Sequence, residues 1–328
     1  MLIKPRPRHE RFTGLSCYTA NLAAYLDTEM SDVDGYLAGS IRLAVRTDLP
    51  SGRLAFSHHH RPLDRLPDGT RLSYATLPPR AALVGIADEL RRRGRVLVVT
   101  EGSRLPWSPA RHEARLAPHW LLVTGRRAES WHVVDAFAGL LAGGEQRPYT
   151  GWLSTARLID AMTEAASSGW SVEQHQRNSL AFGFPVAVPE SAGPLWLRRD
   201  LEAGPDQPEL PGSWLTEDEQ VLPFLADYFT DPRHEGARYL DDLWTAAAHR
   251  VFRYQWLHTK PDLPDAVRER ALAAGAAWLR LPGALRFAVD SAHRGRPRPS
   301  LVHQTFGHLL DVDPDSDQLI SAPRRESR

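Results

Sequence analysis

The sequence predicts an α+β fold in which a first half of mixed strands and helices is followed by a mainly helical second half. Three observations carry that reading. Residues 118–137 run Pro-His-Trp-Leu-Leu-Val-Thr-Gly, a polar turn, then Trp-His-Val-Val-Asp-Ala-Phe. Trp120–Val123 and Trp131–Val134 are β-branched and aromatic, with Gly125 to Ser130 as the turn of a hairpin. Residues 185–213 carry Pro185, Pro189, Pro194, Pro205, Pro208 and Pro211, the composition of a linker or extended wrap. Beyond them apolar residues recur at helical spacing. The expected organisation is a domain over 1–184, a linker over 185–213 and a helical domain over 214–328.

In chain order, residues 1–12 read as an irregular arm, and Ser16 is placed to cap a helix whose apolar face is Tyr18, Leu22, Tyr25 and Leu26. From Met30 to Arg80, glycines punctuate short strand-like runs such as Ile41 to Val45. His58, His59 and His60 end one such run. Strand neighbours point to opposite faces, and no nearby thiol or spaced carboxylate completes a metal shell, so they read as a strand end or loop. Ala81 to Arg93 is a helix with Leu83, Ile86, Ala87 and Leu90 inward. It closes on Arg91, Arg92, Arg93, Gly94 and Arg95, with cations at its negative end. Val96 to Thr100 is a buried strand leading into a loop to Trp107. After the hairpin, Ser154 caps a helix within 151–166, and Trp170 to Gln174 reads as an edge strand. Thr216-x-x-Glu219 is a capping box ahead of Val221, Leu222, Leu225, Tyr228 and Phe229. Further helices are expected over 235–257, 264–281, 283–293 and 300–310, anchored by Trp244, Trp256 and Trp278, with a frayed tail from Asp311.

Composition narrows the classes. No apolar run approaches the ~18 residues that span a bilayer. The start, Met-Leu-Ile-Lys-Pro-Arg-Pro-Arg-His, holds too short an apolar region for a secretory signal. One cysteine cannot form an intrachain disulfide, and a cytoplasmic setting is expected. Net charge is zero, yet residues 1–150 carry 21 basic and 15 acidic side chains and residues 151–328 carry 19 and 25. Only Lys4 and Lys260 are lysines, a skew that a GC-rich coding sequence explains. The overall balance argues against a nucleic-acid binder.

The hairpin carries the chemistry. His119 stands at the mouth of its first strand and Asp135 at the exit of its second, and antiparallel pairing sets those ends side by side. A carboxylate that orients a histidine implies a nucleophile, and Cys17 is the one cysteine. It falls in the first turn of its helix, where free N–H groups and the helix dipole favour a thiolate. Asn21 lies one turn further on. The expectation is a Cys17–His119–Asp135 site assembled from distant pieces. His112 and His132 read as structural, and His249, His258, His303 and His308 show no ligand spacing.

Three segments resemble the N-terminal domain of the butirosin biosynthesis protein H family. They are Cys-Tyr-Thr-Ala-Asn-Leu, then Gly-Arg-Val-Leu-Val-Val-Thr-Glu-Gly-Ser-Arg-Leu-Pro-Trp, then the Pro-His-Trp-Leu-Leu-Val-Thr-Gly…Val-Val-Asp hairpin, together within about residues 12–166. The resemblance implies a papain-like cysteine-peptidase fold, related to the peptidase domains of bacteriocin exporters, ahead of a variable helical region. It also implies acyl transfer in specialised metabolism, from a carrier-protein thioester through acyl-Cys17 to an amine or alcohol. No bound cofactor is expected; the phosphopantetheine arm belongs to the partner, an acyl or peptidyl carrier protein, and the acceptor is a small molecule.

Papain-like enzymes place an oxyanion-hole glutamine shortly before the nucleophile, where this chain has Arg-Phe-Thr-Gly-Leu-Ser over 11–16. The Cys17 N–H can supply one donor and Ser16, Asn21 or Ser103 another, with Trp107 and Trp120 as further substrate contacts. Glu101 stands where the family tends to have aspartate. The carrier is expected to be acidic, and Arg91, Arg92, Arg93 and Arg95 form the densest basic cluster of the half that holds the triad. Two other classes are consistent with the same residues: a cysteine hydrolase with this triad, and a non-catalytic biosynthetic accessory protein whose helical half does the work.

Overall fold

The fold is given by a computed structural model, which describes residues 12, 14–66, 68–109, 118–141, 144–165, 193–201 and 212–312 together with residues 176, 180 and 188. In chain order the first elements are α1 (Cys17–Leu26), α2 (Val33–Ala38), β1 (Ile41–Arg46), β2 (Ala55–His59), β3 (Arg71–Thr76), α3 (Pro79–Arg93) and β4 (Val96–Glu101). The hairpin β5 (Pro118–Arg127) and β6 (Ser130–Asp135) follows, then β7 (Gly139–Leu141), β8 (Gly144–Gln146), β9 (Tyr149–Ser154), α4 (Thr155–Ala165) and β10 (Leu195–Asp200). Last come β11 (Trp214–Leu215), α5 (Asp218–Thr230), α6 (Leu240–His258), α7 (Asp265–His293) and α8 (Pro299–Val312). Mixed α and β structure with antiparallel sheets thus precedes a helical C-terminal region.

Two compact units partition the chain, residues 1–33 with 59–211 and residues 34–58 with 212–328. The helical unit therefore takes a piece of the N-terminal half, contrary to the contiguous division expected from sequence. Its reason is local. Val45 pairs with Leu215 across β1 and β11, and Leu43, Val45, Leu54 and Phe56 join the apolar core of the helices. The buried Arg253 guanidinium donates to the Ala38 and Ile41 carbonyls at 3.0 and 3.1 Å, and the Tyr239 hydroxyl accepts from the Leu54 N–H at 2.9 Å.

In the first unit six antiparallel strands run in the order β3-β10-β4-β5-β6-β9. Their side chains alternate between two faces. Val96, Val98, Leu121, Val123, Val133 and Trp196 form one core with Ala82 and Ile86 of α3 and Leu158 and Met162 of α4. The alternate residues Leu97, Trp120, Leu122 and Leu197 are buried on the opposite face, where Trp120 meets Tyr18 of α1 edge-on, ring centroids 5.3 Å apart. Gly85 lets α3 approach this sheet: a Cβ there would sit 2.6 Å from the Trp196 ring.

Several sequence expectations are corrected. β10 lies inside the expected linker, beginning directly after Pro194, and occupies a sheet interior between β3 and β4. Pairing of the hairpin continues to Arg127–Ser130 past a bulge at Val123/Gly125, so the turn is Ala128 and Glu129, with Ala128 at φ 49°. The capping box is not formed: Thr216 donates to Glu217, and α5 opens with Asp218 and Glu219 in its first turn. The 235–257 segment opens as a 3₁₀ turn over Gly236–Tyr239 before α6. The two helices expected on either side of Pro282 are one, α7. Proline removes one backbone hydrogen bond, but Ala274, Trp278, Leu281 and Leu285 keep one buried stripe through that point, and the burial holds the helix together. The last helix reaches Val312. The arm over residues 1–11, the edge strand at Trp170 to Gln174, most of 185–213, His112 and the tail from 313 lie outside the described residues. No helix among the described residues is long and apolar enough to cross a membrane.

Candidate active site

Cys17 is the first residue of α1 and is half-buried. Ser16 caps this helix by accepting from the Thr19 N–H at 3.2 Å, and its hydroxyl lies 2.9 Å from that of Thr19. The Ala20 N–H returns to the Ser16 carbonyl, so within the helix the Cys17 N–H is left without an acceptor, as at any helix start. His119 opens β5 next to Thr100, whose hydroxyl donates to the His119 carbonyl at 2.8 Å. Asp135 closes β6. His119 Nε2 and Asp135 Oδ2 are 2.8 Å apart, with the histidine 7% and the aspartate 0% exposed. Cys17 lies within electrostatic range of the same imidazole. With Nε2 on the carboxylate, Nδ1 is the ring nitrogen that remains for a second partner.

Asp135 collects five donors. Oδ2 accepts from His119, from the Trp107 indole at 2.8 Å and from Gln146 Nε2 at 2.8 Å; Oδ1 accepts from the Phe137 N–H at 3.1 Å and from Asn21 Nδ2 at 3.3 Å. Burial by itself would raise the carboxyl. The charge and hydrogen bond of His119, with the Trp107 and Phe137 N–H groups, outweigh it and hold Asp135 below the usual carboxylate range. Burial would likewise lower His119, but Asp135 and then Cys17 raise it well above the usual imidazole value. Both shifts favour a protonated imidazole beside an ionised Asp135. Such an arrangement is able to deliver a thiolate to an electrophile and a proton to a leaving group.

The other expected contacts divide. Asn21 is 0% exposed and is not free to bind substrate. Its Nδ2 donates to the Cys17 carbonyl at 2.9 Å and the Trp120 carbonyl at 2.8 Å as well as to Asp135, and its Oδ1 accepts from the Ala136 N–H at 3.0 Å. It ties α1 to both hairpin strands. Ser16 is the helix cap, and the Ser103 N–H donates to Glu101 at 3.3 Å, which makes that glutamate the cap of the turn after β4. Trp107 stacks on Tyr149 at 3.9 Å and supports the aspartate. Trp120 is buried on the α1 face, against the ring of Tyr18. Of the arginines, Arg95 donates to the Ala24 and Tyr25 carbonyls at the end of α1 and Arg91 pairs with Asp88, while Arg91 and Arg92 are exposed. His132 is held by Thr124 at 2.7 Å, and His58 and His59 end β2. Gln146 was not anticipated. No motif marks it; only the requirement that a buried carboxylate be fully hydrogen-bonded signals that such a donor must exist.

Asn21→Ala is expected to destabilise the first unit by about 2–4 kcal/mol, because it leaves the Ala136 N–H and the Trp120 carbonyl unpaired in a dry site. Urea unfolding reads this directly. A loss below ~1 kcal/mol would show that the four contacts are not holding the helix to the hairpin.

No protein-family model matches the chain, and no curated protein matches it.

Proposed function

We propose that the chain is a cysteine-dependent acyltransferase that takes an acyl group from a carrier-protein thioester and passes it to an amine or alcohol. The observation that supports this is the buried His119–Asp135 pair, Nε2 to Oδ2 at 2.8 Å, with Cys17 at the start of α1 within electrostatic range of the same imidazole. The order of pieces, a nucleophile at a helix start and a histidine and aspartate on adjacent antiparallel strands, supports a papain-like reading of the first unit.

In the reaction, the Cys17 sulfur attacks the thioester carbonyl and forms a new S–C bond. The old C–S bond breaks, and the phosphopantetheine thiolate leaves with the proton carried by His119. A thioester is exchanged for a thioester, so acyl-Cys17 is neither a trap nor a strained state. In the second half His119 removes a proton from the incoming amine or alcohol, the acyl carbon bonds to its N or O, and the Cys17 thiolate is released. Asp135 keeps the imidazole oriented and balances its charge.

Acceptor choice separates this reading from hydrolysis. The acyl-enzyme, once formed, should discharge faster to millimolar amine than to water, read as amide against free acid in a single turnover. Exclusive release of acid at every amine concentration tried would make the protein a hydrolase with the same triad.

For the carrier, the docking surface narrows to Arg91, Arg92 and Arg93, since Arg95 is engaged within the fold. Arg91 also lines a hollow of about 360 Å³ with Leu90, Gly94, Thr124 and Arg126. This lies roughly 20 Å along β5 from His119 at ~3.4 Å per residue, a distance of the order of an extended phosphopantetheine arm. Arg91→Glu/Arg92→Glu should raise the KM for acyl-carrier by roughly 10-fold and flatten its salt dependence, because steering acts through charges screened over ~8 Å. Turnover of a small thioester should not change. Equal loss on both donors would assign the arginines to the fold, and unchanged carrier kinetics would place docking elsewhere.

A further inference from the structure

The outer face of α7 holds large apolar side chains in solvent. Its inner face, with Ala274, Trp278, Leu281 and Leu285, packs into the core shared with α6 and α8. On the opposite side Leu272, Leu279 and Phe287 are 55%, 70% and 51% exposed. Successive members lie about two helical turns apart, so they form one stripe. Ala276 and Gly283 are the exposed residues that fill it between them. A Cβ at Gly283 would meet nothing within 4 Å, so no neighbour in this chain calls for a glycine there. Glycine is a poor residue for a helix interior, and close approach of another backbone is a reason to keep one.

The ends of the stripe are charged, in an order that complements itself. Asp265 and then Arg268 precede Leu272, and Asp290 and then Arg294 follow Phe287, each in step with the same helical spacing. Within the chain Arg268 pairs with Asp265 in the first turn. Reversing the stripe and laying it on itself sets Asp265 opposite Arg294, Arg268 opposite Asp290, Leu272 opposite Phe287 and Ala276 opposite Gly283, with Leu279 against its own counterpart. Every charge then meets its opposite, whereas a parallel alignment sets each charge against itself. Self-complementarity of this kind is what a two-fold contact between identical chains requires. We propose that α7 is the interface of a homodimer, packed antiparallel on α7 of a second copy about an axis at Leu279. Burial of the three large side chains drives association, and the charge order fixes its direction, because like charges set face to face disfavour the wrong one. Arg280 and Arg286 border the stripe, where their stems can cover apolar surface while their heads stay in water.

Sedimentation velocity of the full chain tests this, and none of its readouts involves Cys17 or the reaction. The native chain should sediment at twice the chain mass at about 10 µM. Leu279→Arg sets two arginines at the axis and should weaken the dimer by roughly 10²-fold or more, the scale for losing a central anchor on both copies. Its circular dichroism should be native, because the leucine is 70% exposed and arginine is a good helix former. Asp290→Arg and Arg268→Asp should each be monomeric alone, since either homodimer places like charges together at both ends. Mixed, the two variants should form a heterodimer, in which the altered positions meet as opposites at one end and the native pair is kept at the other. A native chain that stays monomeric overturns the proposal and leaves the stripe to a partner of another kind. A dimer that survives Leu279→Arg overturns it as well, since the contact would then lie elsewhere. Natively folded charge variants that fail to pair when mixed overturn the antiparallel arrangement, and the proposal with it.

Discussion

Cys17→Ala is expected to lower acyl transfer by on the order of 10⁵-fold or more, the scale reached when the nucleophile of a triad is removed. The fold should be unaffected. The side chain is half-buried at the start of α1, and alanine is the residue a helix tolerates best. Helix capping by Ser16 and the four contacts of Asn21 involve no atom of the thiol. The thermal midpoint of the variant should therefore stay within a few degrees of the native value, and circular dichroism should be superimposable. Retained turnover in Cys17→Ala would end the nucleophile assignment, whatever the geometry around it.

Asp135→Asn should lower turnover by about 10²-fold or more, because the imidazolium loses the charge that balances it and the ring loses the acceptor that fixes its tautomer. An amide also fits the site poorly. Its NH₂ would meet one of the N–H groups of His119, Trp107, Gln146, Phe137 or Asn21 that now converge on a carboxylate. The pH dependence of stability should change as well. A raised His119 contributes stability in full below the ordinary imidazole range and loses it as pH rises through its elevated value. A depressed Asp135 contributes above the ordinary carboxylate range and loses it as pH falls toward its lowered value. The native protein should thus be most stabilised by the pair between about pH 4 and pH 6.5, and Asp135→Asn should flatten that maximum. Native turnover and an unchanged stability profile would mean that Asp135 is not the third member of the site.

The hairpin was legible because its signals are local: aromatic and β-branched runs, a polar turn, and a histidine and an aspartate whose positions follow from antiparallel pairing. The Ser16 cap and the first turn of α1 were legible for the same reason. β10 was not. Leu195-Trp196-Leu197 is a short apolar run inside a proline-rich stretch, and its partners β3 and β4 lie far back in the chain. The membership of residues 34–58 in the helical unit was hidden for a similar reason, since β1 pairs with β11 about 170 residues later (Val45 with Leu215). Pro282 misled in the opposite direction, because a local helix-breaking rule is outweighed by a buried stripe that only tertiary packing defines. Around the site, the meeting of His119 and Asp135 was readable from chemistry and order. The donors to Asp135 from Trp107 and Gln146 were not, because each is chosen by where a buried polar atom needs a partner.

Intact-mass analysis of the protein mixed with an acylated carrier protein tests the central claim most directly. The account predicts a mass gain of one acyl group, mapped by proteolysis to Cys17, absent from Cys17→Ala and lost when amine is added with matching appearance of amide. Product formation without any adduct on the native enzyme, or the same adduct on Cys17→Ala, would contradict it.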